Sequence, residues 1–336
     1  MDSVQTISKA KLYSDGPITV IDGDWVYTIE LMNRLDDKTP IEDKRIGISV
    51  FYKGNRDIKR APINQPIIRI PDTIEYEISY SGLFMFCSKL VNIEPLRQWD
   101  VSNVTDMRFM FAGCTSLNNL EPIREWNIER VKRLDGMFMS CHKLNNLTPL
   151  SNWNLSSCID SSVMFLHCHS LTTLNGLEHW TMPCNVTTSC MFASCHRLSD
   201  ISAVHEWKVS HIPCMIAMFE ECNIEDVSPL ENWLIDAPEV NISRLLSGNI
   251  HISGISSLSR WKLHINTEFK DIFNGCYHLR IDRLILQWMP NNPSWLTGYA
   301  IDAPLNEFNE WLAKRALRRA KYDPCKLCTI MLKTSG

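Results

Sequence analysis

The sequence predicts a repeat solenoid: a right-handed coil of about eight 27-residue units with short strands, closed by a small N-terminal β cap and a C-terminal helix. Three observations predict it. Trp99, Trp126, Trp153, Trp180, Trp207, Trp233, Trp261 and Trp288 are separated by 27, 27, 27, 27, 26, 28 and 27 residues. Phe84, Phe111, Phe138, Phe165, Phe192, Phe219, Leu246 and Phe273 stand 27 apart, and three residues after each comes a cysteine, with Asn249 the one exception. Between cysteine and tryptophan every third residue is apolar, as in Leu117, Leu120 and Ile123. That spacing is too short for the 3.6-residue period of a helix and too long for the two-residue alternation of a strand. It suits a chain that wraps an axis and stacks equivalent residues of successive turns, and a fixed period of this length is the usual mark of a repeat architecture.

The elements follow in chain order. Residues 1–72 carry no repeat and read as strands over Ile18 to Leu31 and Ile46 to Tyr52, with Asp22-Gly23 as a hairpin turn, so they are expected to form a β cap domain over the first turn. Residues 73–290 are the repeat region. Within it, a one-residue deletion near Ile224 and an insertion before Trp261 account for the spacings of 26 and 28. Residues 291–336 begin with the turn-rich MPNNPSWLTGYAIDAP, after which Pro304 opens a helix with Asp302 near its N-cap and Leu305, Phe308 and Leu312 on one face. Glu307 and Glu310 lie early and Arg315, Arg318 and Arg319 late, as the helix dipole favours. This helix is expected to close the C-terminal end; the other reading is that its basic end docks on an acidic partner or nucleic acid.

A net charge of -4 with 45% hydrophobic and 21% charged residues is the balance of an ordinary folded chain and gives no global sign of nucleic-acid binding. The start, MDSVQTISKAKLYSDGPITV, lacks a basic stretch followed by an apolar run, and no segment approaches the ~20 apolar residues of a membrane span. The expectation is therefore an intracellular (cytoplasmic) or virion protein that is not secreted, with reduced cysteines and with Asn103, Asn146, Asn154, Asn185 and Asn241 as unmodified turn positions.

The segment WDVSNVTDMRFMFAGCTSLNNLEPIREW, from Trp99 to Trp126, resembles the repeat of BspA-like leucine-rich proteins, also called the Mycoplasma lipoprotein-associated repeat, through its W-D-x-S-N-V-T-x-M and M-F-x-x-C-x-x-L signatures. The resemblance covers roughly Ile74 to Trp288. It implies a leucine-rich-repeat-like fold without catalytic residues, used by bacteria, protozoa and large DNA viruses for adhesion or protein interaction. The chain departs from bacterial surface members in having no signal peptide or lipid-attachment cysteine, which favours an intracellular or viral setting. The signature also decays to WKVSHIPCM after Trp207 and WLIDAPEVN after Trp233.

The cysteines of the apolar series are expected in the core as small hydrophobes. His142, His169 and His196 each follow such a cysteine and are expected to stack as a solvent-facing polar row, a zinc or copper site being the less favoured reading. Cys325 and Cys328 form a C-x-x-C without two further ligands nearby; free thiols are the default, with zinc or an intermolecular disulfide as alternatives. Phosphate-loop, dinucleotide, nucleophile-elbow and H-E-x-x-H motifs are absent, so no enzyme, cofactor, metal or small-molecule substrate is expected. The expected function is a non-enzymatic protein–protein interaction scaffold. It would meet its protein partner through exposed residues before each tryptophan: Arg97, Gln98, Arg124, Glu125, Asn152, His179, Glu206 and Asn232. The alternative is a structural component whose partners are subunits of a larger assembly, such as a minor protein of a large DNA virus particle.

Overall fold

The computed structural model describes residues 17–32, 45–66, 76–235, 239–261, 263–264 and 266–279. Its regular strands are β1 (Ile18–Asp22), β2 (Trp25–Met32), β3 (Arg45–Tyr52), β4 (Tyr76–Ser79) and β5 (Val104–Asp106). They form one sheet in the order β1-β2-β3-β4-β5, antiparallel from β1 to β3 and parallel from β3 to β5. Alternation of apolar residues decides which face is buried: Trp25, Tyr27 and Ile29 of β2 lie in the core with Ile46, Ile48, Val50 and Tyr52 of β3. The hairpin turn between β1 and β2 is the two-residue loop Gly23-Asp24, where Gly23 takes a φ of 56°. A charge network fixes the parallel half. Glu77 on β4 accepts from Arg45 of β3 and from Lys132 beyond β5, each at 2.8 Å, and from Thr105 of β5 at 3.2 Å.

The fold class expected from sequence, a leucine-rich-repeat-like right-handed coil with a separate small β cap and a C-terminal helix, is corrected here. Regular strand is confined to a single mixed five-stranded sheet that neither closes nor coils, and no α-helix occurs among the described residues. The strands expected to make a separate cap run through β3 and β4 into β5 of the repeat region. The expected helix, from Pro304 onward, lies outside the described residues. Past β5, consecutive units meet through isolated parallel bridges at Asp106–Arg133, Arg133–Asp160, Asp160–Thr187, Thr187–Cys214, Cys214–Asn241 and Asn241–Glu268, with a further bridge at Thr173–Asp200, and through backbone hydrogen bonds such as those from Phe109 to Asp135 and from Phe111 to Met137.

The backbone explains why strands do not extend there. Two left-handed positions recur in every unit, one in the series Gly82, Phe109, Gly136, Val163, Cys190, Ala217, Arg244, Asp271 and one in Phe86, Gly113, Ser140, His167, Ser194, Glu221, Gly248, Gly275, while Gly176, Asn185 and Glu239 add further ones. Positive φ is incompatible with an extended ladder, so the chain turns after each rung.

What the sequence period does specify is packing in register. The rings of Phe84, Phe111, Phe138, Phe165, Phe192 and Phe219 stack at 5.4–5.7 Å between centroids with interplanar angles of 0–22°. Beside them the thiols of Cys114, Cys141, Cys168, Cys195, Cys222 and Cys276 donate to the carbonyl of the residue 30 positions earlier, at 3.2–3.3 Å. The indoles of Trp126, Trp153, Trp180 and Trp207 donate to Leu96, Ile123, Leu150 and Leu177, those of Trp233 and Trp261 to Val204 and Leu230, all at 2.7–3.2 Å. Each ladder thus buries apolar surface while satisfying a buried carbonyl of the preceding unit.

Candidate interaction surface

The indole ladder seats a series of 3-10 turns at Glu94–Gln98, Glu121–Ile123, Thr148–Leu150, Ser202–Val204, Ser228–Leu230 and Ser256–Arg260. Proline at positions 95, 122, 149 and 229 sets the φ these turns require. Asn92, Asn119, Asn146, Asp200 and Asp226 open the turns by accepting from the backbone N–H two residues later, which is why short polar side chains stand there. Each turn leaves the residues just before its tryptophan outside. Arg97, Gln98, Glu125, Asn152, His179, Glu206 and Asn232 are exposed and Arg124 is half-buried, forming one row at the period of the repeat.

The row is not a set of free charges. Arg97 is bound to Glu94 at 2.5 Å and Arg124 to Glu121 at 2.7 Å, so both guanidiniums are paired within their own turns. The hydrogen bonds from these arginines hold the Glu94 and Glu121 carboxyls below their ordinary range. Further along, Asn232 donates to His205 Nε2 at 3.1 Å, His205 lies 3.4 Å from Glu206, and Arg260 reaches Glu231 at 3.8 Å.

Sequence reasoning missed a second face. Val163, Leu166, Cys190, Ala193 and Ala217, with Phe109, Met139 and Ile216 against them, make an apolar cluster separate from the main core. It is built on one left-handed column and its neighbours, and charges flank it in these columns and in the bridged column of Asp106, Arg133 and Asp160. On one side Arg108 pairs with Asp106 at 2.7 Å and Arg133 spans Asp135 and Asp160 at 2.9 and 3.0 Å; on the other Arg244 pairs with the buried Glu220. Burial pushes the Glu220 and Asp135 carboxyls up, against the pull of Arg244 and Arg133 respectively. Glycine at positions 82 and 136 was the one sequence sign of this face.

The histidine row comes together and gains a member. His142 stacks on His169 at 4.7 Å, His169 on His196 at 5.1 Å, and His167 meets His169 edge-on at 5.6 Å. The ladder cysteines are buried free thiols, and burial pushes Cys195 and Cys276 up to about 12, so they stay protonated and unreactive. Cys184 is exposed; Cys325 and Cys328 lie outside the described residues. Among the described residues no group of three or more His, Cys, Asp or Glu could hold a metal ion, and no helix is long and apolar enough to cross a membrane. An open groove of about 580 Å³ lies where the unit spacing changes, lined by Ser199, Glu225, Asp226, Ser228, Ser253 and Ser256.

Residues 78–203 and 186–293 match, in two overlapping segments, the family described as Mycoplasma protein of unknown function, DUF285. No curated protein and no solved structure matches the chain.

Proposed function

The chain belongs to that family, and on this premise we propose that it is a BspA-like repeat protein serving as a non-enzymatic scaffold for protein–protein interaction. The observation that carries the reading is the exposed row before successive tryptophans. Its frame is constant, an indole bonded to a carbonyl of the preceding unit, while its outward residues change from Gln98 through Glu125, Asn152, His179 and Glu206 to Asn232. A surface that varies along a fixed frame can match one extended partner, and stacked repeats present such surfaces. The buried, protonated ladder thiols favour a structural role for the cysteines over a catalytic one.

Cross-linking of the full chain in material from its native source, followed by mass spectrometry, tests the reading. Cross-links to one protein from Lys143, Lys208 and the row between them are expected. Reversible capture that persists undiminished when Asn152, His179 and Glu206 are changed together would place the contact outside the row and overturn it. Fixed copy number in a purified particle, with no free binding, would instead make the chain a structural subunit.

A further inference from the structure

We propose that His142, His167, His169 and His196 form a proton-sensitive joint between three successive turns of the stack, closed when its imidazoles are neutral and loosened when acid loads them. The geometry carries the argument. His169 is the centre: it lies between His142, 4.7 Å away in the preceding turn, and His196, 5.1 Å away in the following one, with both rings nearly parallel to its own. His167 of the same turn meets it edge-on at 5.6 Å. Its Nε2 is shut off from solvent and has no hydrogen-bond partner. A proton placed there would be a buried donor with no acceptor, which is among the costly arrangements in a folded chain.

The groups that face the cluster are the four imidazoles and Glu221 from the turn beyond, whose carbonyl lies 2.9 Å from His196 Nδ1. The Glu221 charge favours a protonated His167, against the effect of burial and the other rings, but it does not act on His169, where only burial and imidazoles bear. The Glu221 carboxylate is instead hydrogen-bonded by Ser194 at 2.9 Å. Loss of solvent, and then the neighbouring imidazoles, hold His167 and His169 below the ordinary imidazole range. The sign follows from linkage. An open joint takes up protons near the unperturbed value of about 6.5, while the closed one resists them, so the closed form is fully favoured above that pH and loses ground as the pH falls below it.

Two features make the response local. His167 sits at a φ of 61°, a conformation that disfavours a residue with a side chain, so the turn is already strained where the charge arrives. The stacked rings join only adjacent turns, His142 to His169 and His169 to His196, so loosening this joint need not unfold the chain. The joint would give a binding chain a way to respond between neutral and mildly acidic surroundings, and it stands whatever the partner is.

Amide hydrogen exchange of the full chain at pH 7.5 and 5.5, corrected for the intrinsic pH dependence of exchange, tests this. Protection at residues 140–142, 167–169 and 194–196 is expected to fall about tenfold at pH 5.5, the factor that one pKa unit represents, while residues 84–87 keep theirs. In His169→Phe, which keeps a stackable ring without a titrating group, the acid response should vanish. Equal loss in both segments, or an undiminished response in His169→Phe, would overturn the proposal. Should that variant fold poorly, titration of the histidine ring protons by NMR in the unaltered chain decides: His167 and His169 both titrating below about 6.5 supports the joint, and either one at or above it sinks it.

Discussion

The side-chain amide of Asn249 donates to the carbonyl of Phe219 at 2.8 Å, making from the one position where the cysteine ladder is interrupted the bond that the cysteines from Cys114 onward make with their thiols. The same amide donates to Leu246 at 3.0 Å, and the Asn249 oxygen accepts from the N–H of Ile224 at 3.0 Å. The asparagine therefore also serves the backbone at Ile224, where the unit is one residue short. Asn249→Leu should leave these buried groups unmet and cost about 1–3 kcal/mol; Asn249→Cys should cost less by restoring the bond to Phe219. Urea midpoints of the two variants check the order, and equal midpoints would mean that the amide bonds contribute nothing net.

The indole ladder makes a similar comparison possible at its start. Trp126 donates to Leu96, but Trp99 has no complete unit before it and its buried Nε1 lacks a partner. Trp126→Phe should therefore lose a hydrogen bond of roughly 1 kcal/mol beyond what Trp99→Phe loses in packing. Truncation of Trp153 to Ala, in the middle of the stack, should cost about 3–5 kcal/mol. Thermal unfolding of the three variants measures both effects.

The period, the buried cysteines and the exposed row were legible because each depends on residue type at a fixed spacing. The left-handed columns were not, since Phe109, Val163, Cys190 and Arg244 give no local sign of positive φ and only scattered glycines do. Pairing of β3 with β4 was equally hidden, because it joins Ile46 to Tyr76 across 30 residues and leaves no short-range pattern. His167 belongs to a different column from His142, His169 and His196, so a search at the period of 27 passed over it. The pairs within EPLR and EPIR were open to reading as i,i+3 partners, and they change what the exposed row can offer.

Two buried carboxyls should respond to acid with opposite signs. Burial raises Glu77, but hydrogen bonds from Lys132 and Arg45 outweigh it and leave the group below its ordinary range. Its contribution to stability is present above the unfolded value of about 4.3 and is lost as the pH falls through the folded one. Glu220 is raised, chiefly by burial, so its ionisation opposes folding as the pH climbs from the unfolded value through the folded one. Glu77→Gln should lower the melting temperature at pH 7 and flatten its fall toward pH 3, while Glu220→Gln should not lower it at pH 7. A reversed order would contradict both assignments.

Among the described glycines, Gly176 is the one where an added Cβ would come nearest to the backbone of a neighbouring turn. A Cβ there would lie 2.4 Å from Thr148 Cα and 2.7 Å from the carbonyl oxygen of Leu147, and the φ of 104° disfavours any side chain. Gly254, by contrast, has nothing within 4 Å of an added Cβ. Gly176→Ala should destabilise by more than about 1 kcal/mol and Gly254→Ala by much less. Denaturant unfolding of the pair separates a tight joint from a merely flexible one.

Pairing within the exposed row decides which substitutions report on binding. Arg97 and Arg124 are neutralised by Glu94 and Glu121, so an acidic partner gains little from them unless those pairs open. Glu206 is exposed and shares only the weak contact with His205, so its charge is available to a partner. Charge reversal at Glu206 should therefore weaken capture of the partner more than reversal at Arg97 or Arg124. All three should move stability by no more than about 1 kcal/mol, as surface ion pairs usually do. Binding by surface plasmon resonance and unfolding of the same samples give the two readings side by side. If reversal at Arg97 costs the most binding with folding intact, the Arg97–Glu94 pair opens on association and the row is read through its paired charges.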